Sequence, residues 1–297
     1  MNNSPVHPAA VWIQAVRPKT LLAAFSPVLV GVAMAFRDGV LHVPSAMLAL
    51  LGAVLIQIGT NFFNDYADFE QGADTSERKG PLRVTQAGLV SPTTMKRSTI
   101  LVFALAILAG GYLMVRGGWP VVVIGFLSIL FGVLYTSGRY SLAYLGIADF
   151  FVFVFFGPVA VGGTYYVQSL MITWPVVMAG IGPGLLSVAI LLVNNIRDVS
   201  EDRAAGKMTL VARLGAPAGQ WLYGICVLAP MIVPVGLYFA AAGSPWAMTV
   251  LILLPLCILE MRRIASTKEA MELNVSLGAT ARLLLLYSVL FSVGWNL

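Results

Sequence analysis

Long apolar stretches alternate with short polar segments along the whole chain. Nine stretches run for about 17 residues or more with few charged positions. An α-helix rises about 1.5 Å per residue, so a run of this length crosses most of a bilayer's hydrocarbon core. Runs of this kind favour membrane helices over the short alternating strands of a β-barrel. We therefore predict nine transmembrane helices, at roughly 20–37, 46–64, 98–115, 119–136, 147–167, 173–195, 219–241, 245–261 and 280–296.

The composition agrees with a membrane protein. Hydrophobic residues make up 59% of the 297 residues, charged residues make up 10%, and the mean hydropathy is +0.87. A soluble domain carries about 25% charged residues, so this chain lacks the charge needed to cover a water-facing surface. We expect an all-α polytopic membrane bundle that forms one domain over residues 1–297, embedded in membrane lipid.

The positions of Lys and Arg predict how the bundle is oriented. Of the 18 basic residues, all except Arg37 and Arg116 precede the first predicted helix or lie in segments on the same side of the membrane. Basic residues are enriched in cytoplasmic loops, so the N-terminus is expected in the cytoplasm and the C-terminus outside. The net charge of +5 is then a signal of topology, and no nucleic-acid partner is expected.

The second predicted helix ends in an unusual concentration of charge. This stretch reads NFFNDYADFEQGADTSERKGPLRVTQ, and its acidic residues are followed at once by Arg78, Lys79 and Arg83. Charged side chains at the end of a membrane helix are costly and usually functional. Asn64 and Asp68 are four residues apart, so a helix places both on one face. We expect this face to bind a ligand.

The sixth predicted helix ends in a similar arrangement, LLVNNIRDVSEDRAAGKMTLVARLG. Asn194, Asp198 and Asp202 follow one another at intervals of four residues, and Gly206 and Lys207 come next. In the predicted topology both clusters face the cytoplasm four helices apart, which indicates a weak internal duplication. A single acidic cluster could be only a solvated loop, whereas a matched pair favours a binding site.

The donor atoms of the two clusters indicate the kind of ligand. Carboxylate and amide oxygens without His or Cys select a hard cation, and Mg²⁺ commonly bridges carboxylates to phosphate. Lys79, Arg83 and Lys207 would meet the remaining phosphate charge. In so apolar a bundle, this arrangement predicts a site for Mg²⁺ and a lipid diphosphate at the cytoplasmic edge of the membrane.

These features resemble the UbiA-type intramembrane prenyltransferase superfamily, whose members are nine-helix bundles with Asp-rich motifs after helices two and six. The first motif departs from the commonest family form, because Gly72 stands where its last Asp is expected and the acid follows two residues later. The resemblance implies that two Mg²⁺ ions hold a prenyl diphosphate. The metal ligands it implies are Asn64, Asp68, Asp74, Asp198 and Asp202.

Several segments narrow the resemblance to the 1,4-dihydroxy-2-naphthoate polyprenyltransferases of menaquinone synthesis. These segments are NDYADFEQGAD, GPLRVTQAGLVSP, RPKTLLAAFSPVLVG, LGIADFFVFVFFGPVAVGGTYY and NNIRDVSEDRAAGKMTLVARLG. The resemblance implies transfer of a polyprenyl group from its diphosphate to carbon 2 of the naphthoate, with loss of diphosphate and carbon dioxide, in the bacterial cytoplasmic membrane. Alternatives are the acceptors 4-hydroxybenzoate and homogentisate, a phytyl donor, and, from another class, a secondary transporter.

Breaking the allylic C–O bond requires stabilisation of the negative charge on the leaving diphosphate. Mg²⁺ bound at Asp68 and Asp198, helped by Lys79, Arg83 and Lys207, would supply it. The apolar interior would keep the carbocation from water. Aromatic side chains are candidates to stabilise the cation, with ordinary packing as the alternative: Phe62, Phe63, Tyr66, Tyr135, Tyr140 and Tyr144.

Asp149 stands just inside the fifth predicted helix and has two interpretations. In the first, Asp149 forms an ion pair with Arg139 or is simply a carboxylate at the membrane interface. In the second, it orients or deprotonates the hydroxyl groups of the naphthoate.

Arg17 also has two interpretations: it attracts an anionic substrate, or it only sets the topology. Three other acids do not lie on the two helical faces that carry the motifs, so they are weaker candidates for the site: Asp65, Glu70 and Glu201. The substrate-binding candidates are Asn64, Asn194, Lys79, Arg83, Lys207, Arg139, Tyr135 and Arg17.

Overall fold

The computed structural model describes residues 7–72, 80, 83–138, 141–241, 243–267 and 269–297. Every regular element within these ranges is helical, which confirms the predicted all-α class. Seven continuous or bent helices are long and apolar enough to cross a membrane, judged by length and composition. The chain is therefore a multi-pass helical membrane protein.

The helices have the following bounds. They are α1 (Pro8–Val16), α2 (Pro18–Arg37), α3 (Val43–Glu70), α4 (Pro92–Gly117), α5 (Trp119–Leu134), α6 (Leu142–Leu145), α7 (Ala148–Phe156), α8 (Pro158–Ser169), α9 (Trp174–Ala179), α10 (Ile181–Arg197), α11 (Val199–Ala204), α12 (Leu210–Leu214), α13 (Ala216–Leu228), α14 (Val233–Ala241), α15 (Leu254–Ser266) and α16 (Ala270–Asn296). Two 3₁₀ segments, Ala229–Ile232 and Pro245–Leu253, precede α14 and α15.

Two of the nine predicted spans differ from the other seven. α5 has only 16 residues, so it is about 24 Å long. The span predicted at 245–261 begins as the 3₁₀ segment Pro245–Leu253 and becomes α-helical only at Leu254. A 3₁₀ helix is narrower and rises more steeply than an α-helix, so hydropathy alone does not detect the change. The count of nine spans and the orientation of the termini stay predictions.

α3 continues six residues beyond the predicted end at 64. His42 caps its start, because the ring nitrogen of His42 accepts a hydrogen bond of 3.3 Å from the backbone N–H of Ser45. The helix ends before Gly72, whose φ of +63° is incompatible with a continued right-handed helix. The first acidic motif up to Glu70 is therefore helical, and Asn64 and Asp68 share a helical face as predicted.

Two long spans are broken at glycines, and the breaks touch. The span α7–α8 breaks at Gly157, immediately before Pro158, and the span α9–α10 breaks at Gly180. A Cβ placed on Gly157 would lie 2.6 Å from the carbonyl oxygen of Gly180 and 2.8 Å from Cα of Gly184. Only glycine allows so close an approach of two backbones. The contact packs α7 against α10, with the start of α7 and the end of α10 at the same end of the bundle.

The main core lies between α2, α10 and α16. Tyr287 and Phe291 of α16 are fully buried, and their rings stack with centroids 6.2 Å apart. Phe291 stacks in turn on Trp295, at 5.5 Å. Gly182 of α10 leaves room for Tyr287, because a Cβ there would lie 2.6 Å from the ring. The last helix is thus packed along its length against the helix that carries the second acidic motif.

We predict that Gly157→Ala destabilises the protein. The added methyl group meets backbone atoms that cannot move aside, and overpacking of this kind costs about 1–3 kcal/mol. The measurement is the midpoint of thermal unfolding in detergent. Gly111→Ala is the matched control, because nothing lies within 4 Å of its added Cβ. Equal midpoints for the two variants would contradict the role given to the glycine contact.

Candidate active site

The end of α3 is tied to the segment after α5. Asn64 is 8% exposed, and its Oδ1 accepts a 2.7 Å hydrogen bond from the hydroxyl of Thr136. Gln71 donates a second hydrogen bond, of 3.0 Å, to the carbonyl oxygen of Thr136. The first motif and the residues that follow α5 are therefore held together at two points.

Asp68 forms an ion pair with Arg83. The Nη2 atom of Arg83 lies 2.5 Å from Oδ2 of Asp68, and the two side chains are only 8% and 16% exposed. Charged hydrogen bonds of this kind are stronger than neutral ones. The structure thus brings together Asp68, a predicted metal ligand, and Arg83, a predicted ligand of the diphosphate.

Asp65 holds the loop that carries Arg83. Its side chain is 2% exposed, and its two oxygens accept hydrogen bonds of 3.2 Å from the backbone N–H groups of Val84 and Thr85. The sequence ranked Asp65 below Asp68 because it falls on a different face of the helix. Its contacts explain the difference: Asp65 faces the loop backbone and fixes the position from which Arg83 reaches Asp68.

The second motif lies on two helices, where the spacing had suggested one. α10 ends at Arg197, Asp198 leaves the helical conformation with φ −96° and ψ 9°, and α11 begins at Val199. The backbone N–H of Asp202 still donates a 2.8 Å hydrogen bond to the carbonyl of Asp198, so the four-residue register survives the interruption. Asn194 remains on the last turn of α10.

Each carboxylate of the second motif faces a cation. Asp198 accepts two hydrogen bonds of 2.6 Å from the guanidinium of Arg197. Asp202 lies 3.6 Å from Nζ of Lys207, and the chain returns to it through Gly206, whose φ is +71°. Burial raises the pKa of the Asp202 carboxyl above its usual range; the charge of Lys207 opposes this shift and the charge of Asp198 adds to it.

Tyr135, the residue just after α5, lies near both motifs. Its hydroxyl is within electrostatic range of the carboxylates of Asp149, Asp202 and Asp68, and of the guanidinium of Arg17. Charged residues from four separate parts of the chain therefore lie near one side chain. This convergence brings five of the predicted site residues to one region.

Tyr144 reaches the same region from the segment before α7. Burial raises the pKa of its hydroxyl, and the charges of Asp68 and Asp202 raise it further. A Cβ on Gly146 would lie 2.6 Å from the carbonyl of Met208, so this segment packs closely on the loop after the second motif. Arg213 closes the contact with a 2.9 Å hydrogen bond to the carbonyl of Leu145.

Asp149 lies in the first turn of α7, at the same end of the bundle. Its Oδ1 is buried and has no hydrogen-bond partner among the described residues. Buried carboxylate oxygens are normally satisfied, so this oxygen is a candidate acceptor for a hydrogen bond from a ligand. Arg139, the partner that one interpretation gave it, lies outside the described residues. So do three other residues predicted from the sequence, Asp74, Lys79 and Tyr140.

The remaining aromatic candidates pack elsewhere. Phe62 is 5% exposed and packs on Trp12 of α1 at a centroid distance of 5.4 Å. Phe63 contacts Tyr66, and Nζ of Lys96 lies 5.8 Å from the centre of the Tyr66 ring. These contacts support the packing alternative for Phe62 and place Tyr66 against α4.

Comparison with known proteins decides the family. The sequence profile of the UbiA prenyltransferase family matches residues 24–289. The chain belongs to the UbiA prenyltransferase family. It is 33% identical to the 1,4-dihydroxy-2-naphthoate octaprenyltransferase of Escherichia coli strain K12, over 99% of this chain and 97% of the relative. It is 35% identical to the enzyme of that name from Haemophilus influenzae strain ATCC 51907, over 96% and 95%. These findings confirm the resemblance seen in the sequence.

A solved structure shares the fold of this UbiA family member. The UbiA homolog from Archaeoglobus fulgidus bound to GPP and Mg²⁺ matches with a TM-score of 0.66 at 14% identity. The match covers 95% of this chain and 99% of that structure. At this identity the comparison establishes the fold, and it agrees with the helical bundle described above.

The oxygen donors of this UbiA member fit a hard cation. Asn64, Asp68, Asp198 and Asp202 offer amide and carboxylate oxygens, which are ligands that Mg²⁺ prefers. Within the described residues, no three His, Cys, Asp or Glu side chains converge closely enough to hold an ion by themselves. Mg²⁺ usually completes its shell with water and substrate phosphates, so a sparse protein ligand set suits it.

Sequence reasoning missed several residues of the site. Thr136 and Asn274 have no charge or motif to mark them, and their partners Asn64 and Arg197 lie far away in the chain. Arg197 carries a signal, because it directly precedes Asp198, but its charge is equally explained by the topology pattern. The structure assigns it to the second motif.

We predict that Asp65→Ala impairs both stability and activity of this UbiA family member. The change leaves two buried backbone N–H groups without an acceptor, at a cost of about 1–3 kcal/mol, and releases the loop that carries Arg83. Thermal unfolding and prenyl transfer are measured together. The control Glu70→Gln changes an exposed acid at the end of the same helix and should behave like the wild type. An Asp65→Ala protein with unchanged stability and turnover would refute this role.

Proposed function

We propose that this protein transfers a polyprenyl group from polyprenyl diphosphate to carbon 2 of 1,4-dihydroxy-2-naphthoate, releasing diphosphate and carbon dioxide. The product would be demethylmenaquinol, made at the cytoplasmic face of the bacterial cell membrane. The near full-length similarity to two octaprenyltransferases of this specificity supports the reaction. The observation that carries the proposal is that an acid of each motif, Asp68 and Asp202, and also Asp149 lie within electrostatic range of Tyr135.

Mg²⁺ would be held by Asn64 and Asp68 of the first motif and by Asp198 and Asp202 of the second. The oxygen-only donor set supports this assignment, as does the Mg²⁺ bound in the A. fulgidus homolog with the same fold. Asp74 belongs to the same proposal by its place in the first motif. When bound, the metal would act as a Lewis acid that stabilises charge on the diphosphate.

Arg83 and Lys207 would bind the diphosphate together with the metal. In the structure Arg83 pairs with Asp68, and Lys207 pairs with Asp202. Lys207 keeps 31% of its side chain exposed, so its ammonium can turn from Asp202 towards a phosphate oxygen. Lys79 would add a third cation. Positive charge placed where the leaving group gains negative charge lowers the barrier to C–O cleavage.

Asp149 and Arg17 would handle the aromatic acceptor. The unsatisfied oxygen of Asp149 is suited to accept a hydrogen bond from a naphthoate hydroxyl, which raises electron density on the ring carbon that is attacked. Arg17 bears a positive charge near Tyr135 and would bind the acceptor's carboxylate. Asn194, Tyr135 and Arg139 complete the proposed substrate contacts.

Aromatic rings beside the site would line the path of the prenyl chain. The ring of Phe131 lies 4.4 Å from that of Phe151 and 5.2 Å from that of Phe155, by centroids. Phe131, Phe151 and Tyr135 pack on one apolar cluster that includes Leu191 of α10. Such a surface excludes water from an allylic cation, and ring faces can stabilise its charge.

We predict that Asp68→Ala and Asp198→Ala each abolish prenyl transfer while the protein remains inserted in the membrane. Each change removes a proposed metal ligand and leaves a cation, Arg83 or Arg197, without its carboxylate. Transfer is measured in isolated membranes, with the amount of inserted protein determined by immunoblot. Asp38→Asn is the control, because Asp38 lies at the opposite end of the bundle, where it accepts a hydrogen bond from Tyr165. Turnover at the wild-type rate by either variant would remove that acid from the site.

The reaction itself is tested in membranes that contain this chain, 1,4-dihydroxy-2-naphthoate, a polyprenyl diphosphate and Mg²⁺. We expect mass spectrometry of the extracted lipid to find demethylmenaquinone, and excess EDTA to abolish it because the donor set needs a divalent cation. Product formed only with 4-hydroxybenzoate or homogentisate would overturn the proposed acceptor and keep the site. Undiminished product in EDTA would remove the metal from the mechanism, and solute counterflow without any product would favour a transporter.

A further inference from the structure

The second motif contains an arginine that is bound on three sides. Arg197 is the last residue of α10, and its side chain is only 2% exposed. Its Nε and Nη2 atoms donate hydrogen bonds of 2.6 Å to Oδ1 and Oδ2 of Asp198. Its Nη1 atom donates a third bond, also of 2.6 Å, to Oδ1 of Asn274 in α16. The guanidinium is thus fixed between its neighbour in sequence and the last helix of the bundle.

Arg197 differs from the other cations of the site. Arg83 and Lys207 reach Asp68 and Asp202 from loops further along the chain, and Lys207 remains 31% exposed. Arg197 directly precedes its acid, donates to both oxygens of that acid, and also donates from Nη1 to Asn274. With three of its five N–H groups engaged in this way, Arg197 is better suited to hold Asp198 than to turn towards a diphosphate.

The geometry of the pair suits orientation of the carboxylate. A carboxylate offers about four lone-pair directions, and a bidentate arginine occupies two of them. The planar guanidinium fixes the plane of the Asp198 carboxylate and leaves the remaining directions for another cation. Asp198 needs such support because it stands at the break between α10 and α11, where no regular helix sets its conformation.

We propose that Arg197, held in place by Asn274, is a positioning residue that orients Asp198 for metal binding. The last helix, α16, thereby sets the geometry of the second motif from 77 residues further along the chain. The proposal rests on the proposed function, because it assumes that Asp198 binds the metal. It differs from simple charge neutralisation, for which any buried cation would serve.

The test compares Arg197→Lys and Asn274→Ala in the purified full-length protein. Lysine keeps the positive charge but lacks the fork that grips both oxygens and Asn274. Asn274→Ala keeps both Arg197 and its ion pair. Arg203→Lys is the matched control, because Arg203 lies in the same segment, is exposed, and bonds only the carbonyl of Ala212 among the described contacts. The readout is binding of Mn²⁺ alone, followed by electron paramagnetic resonance of the free ion.

We expect Arg197→Lys to weaken Mn²⁺ binding about tenfold or more, Asn274→Ala to weaken it by a smaller factor, and Arg203→Lys to leave it unchanged. Wild-type or tighter binding by Arg197→Lys or by Asn274→Ala would overturn the inference, since Arg197 would then only neutralise Asp198 or compete with the metal. If Arg197→Lys does not fold, as judged by thermal unfolding without metal, Asn274→Ala alone decides. A wild-type protein that binds no Mn²⁺ would overturn the metal site itself, which separates that failure from failure of the positioning role.

Discussion

The site depends on one constraint: an acid at the edge of an apolar bundle must have its charge compensated, by the protein or by a ligand. A buried carboxylate without any partner costs several kcal/mol, and Asp149 is the one acid described above with a buried oxygen still open to a ligand. Asp68, Asp198 and Asp202 each face a cation, and Asp65 accepts two backbone N–H groups. These compensations also build the site, because each one anchors a loop or a helix end. Asp65 and Asp68 hold the segment that carries Arg83, through its backbone and its side chain. Asp202 holds the turn after α11 through Lys207.

The helical scaffold places the two motifs at one end of the bundle through contacts between backbones. The breaks at Gly157 and Gly180 touch, which packs α7 against α10 and aligns Asp149 with the second motif. The close contact of Gly146 with Met208 then packs the Tyr144 segment on the loop after that motif. Side-chain pairing alone would not fix these distances. Small residues at crossing points are common in membrane bundles because helix association there relies on close packing.

Much of the fold and part of the site could be predicted from the sequence, and the limits have physical causes. Hydropathy located every long helix, and the interval of four residues between Asn64 and Asp68 predicted their shared face. The 3₁₀ segment at Pro245 escaped detection because it is as apolar as an α-helix. Thr136 and Asn274 could not be predicted as site residues. Their hydrogen-bond partners lie 72 and 77 residues away in the chain, and so distant a pair leaves no local sequence pattern. The interruption of the helix at Asp198 could not be predicted, because the interval of four residues between Asp198 and Asp202 is the same as in an unbroken helix.

The shortness of α5 has a consequence for how a lipid substrate enters. None of the residues of this helix is buried, so it lies at the edge of the bundle, and its length of about 24 Å is less than the roughly 30 Å of a hydrocarbon core. Hydrophobic mismatch of this size thins the adjoining bilayer or draws the helix end below the headgroups. The end of α5 that adjoins Tyr135 would then lie nearer the acyl chains than the ends of the longer spans. For the polyprenyl donor proposed above, this would shorten the path of its tail from the lipid to the site.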